Sequence, residues 1–219
     1  MASTATAPSI RPARDSDAEF IAWVQQTAAR SHVERGFWDV AVPGREAPRL
    51  ELVAALARAE PRSFCHWSRF LVAEADGKPA AALSGYEPDR HGGGAFLEAL
   101  TGTLRRARWS DAEMEALYGR TTAFMTCIPE TPGDVWVVEW VATLPDQRGR
   151  GHVKHLLQAI LEEGRRLGFR KTQIAVLIGN TPAQKAYEGA GFAVVDEKTS
   201  PEFEREFGCP GIRRMLRDL

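Results

Sequence analysis

The chain has 219 residues, 44% of them hydrophobic and 26% charged, and its 28 Lys and Arg nearly balance its 29 Asp and Glu, leaving a formal net charge of -1. That composition excludes a disordered polyelectrolyte, leaves no overall basic charge for nucleic acid or an anionic membrane as main partner, and is long enough to bury a sizeable core. No apolar run approaches the roughly 20 residues needed to cross a bilayer, and the 3 cysteines, Cys65, Cys127 and Cys209, are far apart and without metal-ligand spacing. The expectation is a cytoplasmic protein with reduced thiols and no metal, partnered by neither nucleic acid nor membrane, with a homodimer left open.

Residues 1–8 read as a short disordered tail and 9–219 as one domain. Ile10 to Arg14 suits a first strand. Ser16 and Glu19 make an S-x-x-E capping box ahead of Phe20, Ile21, Val24 and Ala28 at helical spacing. Ser31 to Arg45 is irregular and carries His32, Phe37 and Trp38, and a second helix, Arg49 to Ala59, stops before Pro61. Asp76-Gly77 between Arg69–Ala75 and Pro79–Tyr86 is a hairpin signal. In residues 88–133, His91-Gly92-Gly93-Gly94 reads as a flexible loop before two amphipathic helices. The first carries Phe96, Leu97, Leu100 and Leu104; the second follows a Ser110/Glu113 capping box and carries Met114, Leu117, Thr121 and Phe124.

A fourth, apolar strand runs from Val135 to Leu144, followed by a basic glycine turn at Gln147 to Gly151 and a helix to Leu167, with Gly168 as its C-cap. Lys171 to Ile178 is a fifth strand. The helix after it has Thr181 as N-cap, Pro182 at its first position and Gln184 closing a T-x-x-Q box, and ends at Gly191. A polar loop with Pro201 and Pro210 then leads to a basic last strand, Ile212 to Leu216.

Strand, glycine turn and helix N-terminus in succession form an anion site. Glycine lets backbone N–H groups approach a ligand, the unpaired donors of the first helical turn point at it, and Arg148 and Arg150 add charge. Neither G-x-G-x-x-G nor G-x-x-x-x-G-K-[ST] is present, so the dinucleotide and P-loop spacings are absent.

Arg148-Gly149-Arg150-Gly151-His152-Val153 instead resembles the [QR]-x-x-G-x-[GA] signature of the GNAT superfamily of acyl-CoA-dependent N-acetyltransferases. A second signature of that family, an Asn at a strand end followed by Ala, Tyr and Gly-Phe, matches Asn180, Ala183, Tyr187, Gly191 and Phe192. Val153 stands where the family usually has Gly or Ala, so weaker packing is expected there with binding kept. The resemblance covers roughly residues 135–197.

It implies an α/β (α+β) fold with a mixed, mostly antiparallel central sheet, helices on both faces and residues 88–133 as a helical insertion between strands 3 and 4. It further implies acetyl-CoA as co-substrate, with pantetheine along Val141, Ala142 and Thr143, the pyrophosphate on Arg148, Gly149, Arg150, Gly151, His152 and Val153, and Asn180 and Ala183 beside it. The acceptor is then a primary amine of a small molecule or peptide.

By the same resemblance, Tyr187 is the general acid that protonates the departing thiolate; half-buried packing on Phe192 is the plainer reading. Glu139 is the candidate base. Strand alternation puts Glu139, Val141 and Thr143 on one face and Trp136, Val138 and Trp140 on the other. A carboxylate in so apolar a strand is costly unless paired, with an arginine as the structural alternative, and Glu98 or a water chain as substitute bases. Two readings from other classes stay open: an acyl-CoA-binding module without turnover, and an adaptor docking through the inserted helices. His152 and His155 lack a third ligand at usual spacing, so packing is expected of the first and solvent of the second. His91-Gly92-Gly93-Gly94 lacks the G-x-S-x-G elbow that would make it part of a hydrolase, and Trp67 is a candidate pocket-lining ring.

Overall fold

The computed structural model describes residues 8–219; the tail expected at residues 1–8 falls outside the described residues but for Pro8. The elements, in order, are β1 (Ser9–Pro12), α1 (Ala18–Arg30), α2 (Phe37–Ala41), α3 (Glu46–Leu56), β2 (Phe70–Ala75), β3 (Lys78–Tyr86), α4 (Pro88–His91), α5 (Gly93–Arg106), α6 (Asp111–Met125), β4 (Val135–Thr143), α7 (His152–Arg166), β5 (Lys171–Leu177), α8 (Thr181–Gly189), β6 (Ala193–Thr199), α9 (Pro201–Phe207) and β7 (Gly211–Asp218). They build a 7-stranded sheet in the order β1-β2-β3-β4-β5-β7-β6. Every neighbouring pair is antiparallel except β4 with β5. The mixed, mostly antiparallel sheet with helices on both faces is the one expected.

Asp76 and Gly77 take φ of 52° and 73°, the two left-handed positions a two-residue hairpin needs, and β2 pairs β3 across them. The parallel β4–β5 pair requires a crossover, which α7 supplies. One stripe of α7, with Leu156, Leu157, Ile160 and Leu161, is buried against Trp136, Val138 and Ile174 of the sheet. α7 ends in paired bonds, Phe169 N–H to Gly164 O and Gly168 N–H to Arg165 O, with Gly168 at φ 91°, so the expected glycine stop is a Schellman motif. The other face of the sheet carries α1, whose cluster with it includes Ile21, Val24, Phe70, Val72 and Ala82, and α3 packs on α1.

Several local expectations change in the folded chain. The first helix is not entered through Ser16 and Glu19: a short 3-10 turn precedes it, and Asp17 Oδ2 accepts from Arg14 N–H at 2.7 Å while Arg11 holds the same carboxylate. The segment read as irregular contains α2, because Asp39 reaches back to Gly36 N–H at 3.0 Å and is gripped by Arg30 and Arg49. The triple glycine is not a loop: Gly92 caps α5, and Gly93 and Gly94 form its first turn. The polar stretch after Thr199 folds as α9, since Ser200 Oγ accepts from Glu202 and Phe203 N–H and the helix buries Phe203 and Phe207. The Ser110/Glu113 box is formed in both directions.

The seat of α7 is set by absent side chains. A β-carbon at Gly164 would lie 2.8 Å from Trp136 Cδ1, and one at Gly85 would lie 2.6 Å from Trp136 Cζ2 and 2.5 Å from Ile160 Cγ1. The Trp136 indole thus fills the space that two glycines, on β3 and α7, leave between sheet and helix. Replacing Gly164 by Ala overpacks this contact and is expected to cost about 1–3 kcal/mol; a urea midpoint equal to that of the parent protein would show that the helix shifts freely.

Candidate active site

β4 and β5 pair only over Val135–Val138 with Lys171–Ile174. Beyond that, β4 continues beside β3 alone, with Ala142 opposite Ala82 and Thr143 opposite Ala81. β5 continues beside β7 alone, Val176 opposite Arg213 and Leu177 opposite Ile212. The two central strands therefore part, and the β5-facing backbone of β4 past Val138 has no partner strand.

The cause of the parting lies in β4. From Ala82 to Ser84 on β3, the opposing stretch of β4 runs from Ala142 to Glu139, one residue longer, and Trp140 sits at φ 56°. This is a β-bulge, which bends and twists its strand. A left-handed non-glycine backbone costs about 1–2 kcal/mol, so surrounding packing must hold it.

The bulge also overturns the expected alternation. Trp136, Val138 and Val141 pack into the α7-side cluster, whereas Trp140 and Ala142 pack among α1, α3 and the inserted helices. Glu139 accepts from Tyr86 Oη at 3.1 Å, and Tyr86 clusters with Val135, Val137 and Phe64. Glu139 and Trp140 thus share one face of the sheet and Val141 lies on the other, because the extra residue shifts the period of two by one.

Past the strand end, a 3-10 turn at Pro145–Gln147 leads into the glycine turn, where Gly149 and Gly151 take φ of 77° and 81°. Gly151 caps α7 without a side chain, and among the described residues no group accepts from the N–H groups of Gly151, His152, Val153 or Lys154. These are the four orphan donors of a helix start. Arg148 and Arg150 are exposed, and neither pairs with a carboxylate among the described residues. His152 is buried with both ring nitrogens unpartnered, and burial, then Arg150 and His155, lower its pKa. Thr143 Oγ1 is buried and unpartnered as well. His155, expected in solvent, is half-buried, its Nδ1 3.0 Å from Gly151 O. Val153 is half-buried against the α7-side core, so its branched side chain is taken up by packing.

α8 follows β5. Its N-cap is Asn180, one residue before the expected Thr181: Asn180 Oδ1 accepts from Ala183 N–H at 3.2 Å and Nδ2 donates to Ser31 Oγ at 2.6 Å. Gln184 is drawn away from any box by Glu188 and Arg213. The far end is another Schellman motif, with Phe192 N–H to Tyr187 O at 3.0 Å, Gly191 N–H to Glu188 O at 2.8 Å and Gly191 at φ 88°. Its accompanying apolar contact is the edge-on pair of Tyr187 and Phe192, 6.4 Å between ring centres. Both ends of the short helix are thus fixed, and with them the direction of Tyr187. Burial pushes the Tyr187 phenol well above its ordinary pKa, and no protein group hydrogen-bonds to it among the described residues. Val141, Val153, Ala183 and Tyr187, spread over 47 positions of sequence, pack against one cluster.

On the other face, burial raises the Glu139 pKa to about 7, and the hydrogen bond from Tyr86 works against that rise. Its partner is a phenol and not the arginine that a structural pair would supply. Around it stand Phe64, stacked on Tyr86 with centroids 5.2 Å apart, and Phe96 and Trp140, 5.0 and 6.1 Å from Phe64. Phe96 comes from the insertion. Glu98, the substitute base, is exposed on α5, whose buried face carries Ala99 and Leu100, and Trp67 packs with the α1 cluster instead of lining this rim. Tyr86 and Phe64 carried no motif, so nothing in local spacing singled them out.

A sheet split between two parallel strands, with a glycine-capped helix start at the mouth, is the architecture of an acyl-CoA-dependent acyltransferase. The model of the acetyltransferase (GNAT) family matches residues 42–192, and the chain belongs to that family of N-acetyltransferases. Among solved structures it is similar to a crystal structure of an acetyltransferase (TM-score 0.70, 20% identity, 96% of this chain and 98% of that chain). It is also similar to an N-acetyltransferase from Staphylococcus aureus Mu50 (TM-score 0.67, 18% identity, 95% and 100%). A third is yncA from Salmonella typhimurium, in a structure with its cofactor acetyl-CoA (TM-score 0.50, 16% identity, 98% and 95%). At such identities the likeness speaks for the fold alone. None of the curated proteins matches the chain. Among the described residues no helix is long and apolar enough to cross a membrane.

Asn180 ties the start of α8 to the loop after α1. Asn180→Ala is expected to cost about 1 kcal/mol for the lost cap, measured as a fall in urea midpoint; no change would mean that Thr181 takes over as cap.

Proposed function

We propose that the protein transfers the acetyl group of acetyl-CoA to a primary amine by direct attack, with Glu139 as base and Tyr187 as acid. What carries the reading is the partition of the two groups. Glu139 is held by Tyr86 on one face of the sheet, Tyr187 packs into the α7-side cluster on the other, and burial raises both pKa values.

The orphan N–H groups of Gly151 to Lys154, with Arg148 and Arg150, suit the coenzyme's pyrophosphate; helix-end attraction of this kind contributes roughly 0.3–2 kcal/mol, so several donors share the task. The open edge of Val141, Ala142 and Thr143 suits the amides of pantetheine, which would pair as an added strand does. Thr143 Oγ1, buried without a partner, supports a polar guest there. Asn180 and Ala183 hold the start of α8 beside the gap. Acetyl-CoA supplies the thioester, an acyl group already activated for attack.

An alkylamine has a pKa of about 10 in water, so it must lose a proton before its nitrogen can attack. Glu139 accepts that proton, directly or through a water. With a pKa of about 7 it is ionised in about half of the molecules at neutral pH, yet basic enough to hold the proton. The nitrogen forms its bond to the acetyl carbon, the carbon–sulfur bond breaks as Tyr187 gives its proton to the leaving sulfur, and the second proton that the acylated nitrogen sheds returns the Tyr187 phenolate to phenol. A phenol kept neutral by burial is always ready as the donor. Tyr86, whose phenol is held protonated by burial and then by Glu139, orients the carboxylate.

For Glu139→Gln, kcat is expected to fall by about 10²–10⁴-fold. The pH profile gives the sign. Protonation of Glu139 removes the base, so activity falls as pH drops through about 7. That limb should vanish in the variant, while the limb set by the acceptor's own amine persists at higher pH. An unchanged acidic limb would take Glu139 out of the reaction.

Tyr187→Phe is expected to lower kcat by about 10²-fold with coenzyme affinity kept, read from thiol release and calorimetric titration. Because its hydroxyl has no protein partner, folding stability should change little. Equal turnover in this variant would leave Tyr187 as packing against Phe192.

A further inference from the structure

Besides Tyr86, which holds Glu139, four aromatic side chains from separate parts of the chain form one set: Phe37 from α2, Phe64 from the segment after α3, Phe96 from α5 and Trp140 from the bulge in β4. Phe64 lies between Phe96 and Trp140, its ring tilted by 21° and 23° to theirs, and Phe37 meets Phe96 at 6.4 Å. All four are half-buried, as is Glu139, whereas Trp38 and Tyr86 behind them are buried. Phe64, Phe96 and Trp140 are near-parallel, Phe37 stands tilted at their edge, and the partly open set lies on the face that carries the Glu139 carboxyl. Glu139 is also alone. Among the described residues no cation pairs with it, its one side-chain partner is the Tyr86 hydroxyl, and no second carboxylate hydrogen-bonds within the set.

We infer that the acceptor is a monoamine with an aromatic or bulky apolar body, its amine at Glu139 and its body on Phe64, Phe96 and Trp140. The inference rests on the role of Glu139 as base proposed above. A single carboxylate matches a single positive charge: a linear polyamine or a multiply charged sugar would bury further ammonium groups without a counter-charge, which is costly. Ring faces attract one ammonium, favouring its arrival before the proton is lost, and thereafter suit an apolar or aromatic body. The bulge puts the two halves of this site side by side, since it turns Trp140 to the same face as Glu139. α5 then decides selectivity through Phe96, which no family motif contributes.

The test compares tryptamine, phenethylamine, a short alkyl monoamine and spermidine as acceptors with acetyl-CoA, for the parent protein, Phe96→Ala and the volume-conserving Phe96→Leu. The arylalkylamines should be preferred over the short monoamine and spermidine by about tenfold or more in kcat/KM. Phe96→Ala should lower the arylalkylamine value by about tenfold, change the short monoamine little and leave coenzyme affinity unchanged, with Phe96→Leu between. Spermidine as best acceptor, or an equal loss for every amine in a folded Phe96→Leu, would overturn the acceptor class and leave the chemistry at Glu139 standing. Coenzyme binding with no turnover of any amine would instead remove that chemistry, and the acceptor class with it.

Discussion

One extra residue in β4 shapes the site. Without the bulge at Trp140, β4 would stay parallel to β5 along its length, the gap between them would close and Glu139 would face away from Trp140. With it, the strand keeps its pairing to β3 on one side and loses β5 on the other, which leaves backbone without a partner strand. The left-handed backbone at Trp140 is unfavourable by itself. It is held because the indole stacks on Trp38 and Phe64 and so exchanges backbone strain for buried aromatic area.

The two helices that flank the gap are positioned by their ends. α7 begins at a glycine whose conformation turns the first N–H groups outward, and its length is secured by the Trp136 indole between Gly85 and Gly164. α8 has only 9 residues, too few to be stable on propensity alone. Asn180 at one end and the Gly191-Phe192 stop at the other make up for this, and the stop includes the contact with Tyr187 itself. The second family signature therefore has a mechanical meaning. It encloses a short helix between two caps so that one phenol points in one direction. The same Asn180 reaches across to Ser31, joining the start of α8 to the loop that leads into α2.

The face that carries Glu139 is built differently. Asp39, gripped by Arg30 and Arg49, locks α2 against α1 and α3, and α2 presents Phe37 and Trp38 to Phe96 of α5. Residues 88–133 are thus no appendage. They bury Leu100, Leu104, Met114 and Leu117 in the same cluster as Trp38 and Leu56. An adaptor role would leave that apolar face free for a partner, and here the chain covers most of it itself.

Much of this protein is decided locally and is legible in the chain as written. The Asp76-Gly77 hairpin, the apolar stripe of α7, the glycine stop at Gly168, the glycine turn at Arg148 to Gly151 and the Tyr187 helix each follow from backbone preferences acting over a few residues. The local reading failed where two neighbours could do the same job, as Asn180 and Thr181 could at the start of α8, and where a cap was supplied by a residue outside any pattern, as by Asp17. It failed wholly at the bulge, because nothing within Val135 to Thr143 says that β3 will span the stretch with one residue fewer. Register belongs to pairs of strands, not to a strand. The face on which Glu139 lies, the phenol that holds it and the rings from α2, α5 and the segment after α3 that surround it therefore exist only once distant segments have packed, where burial and contact decide what spacing along the chain cannot.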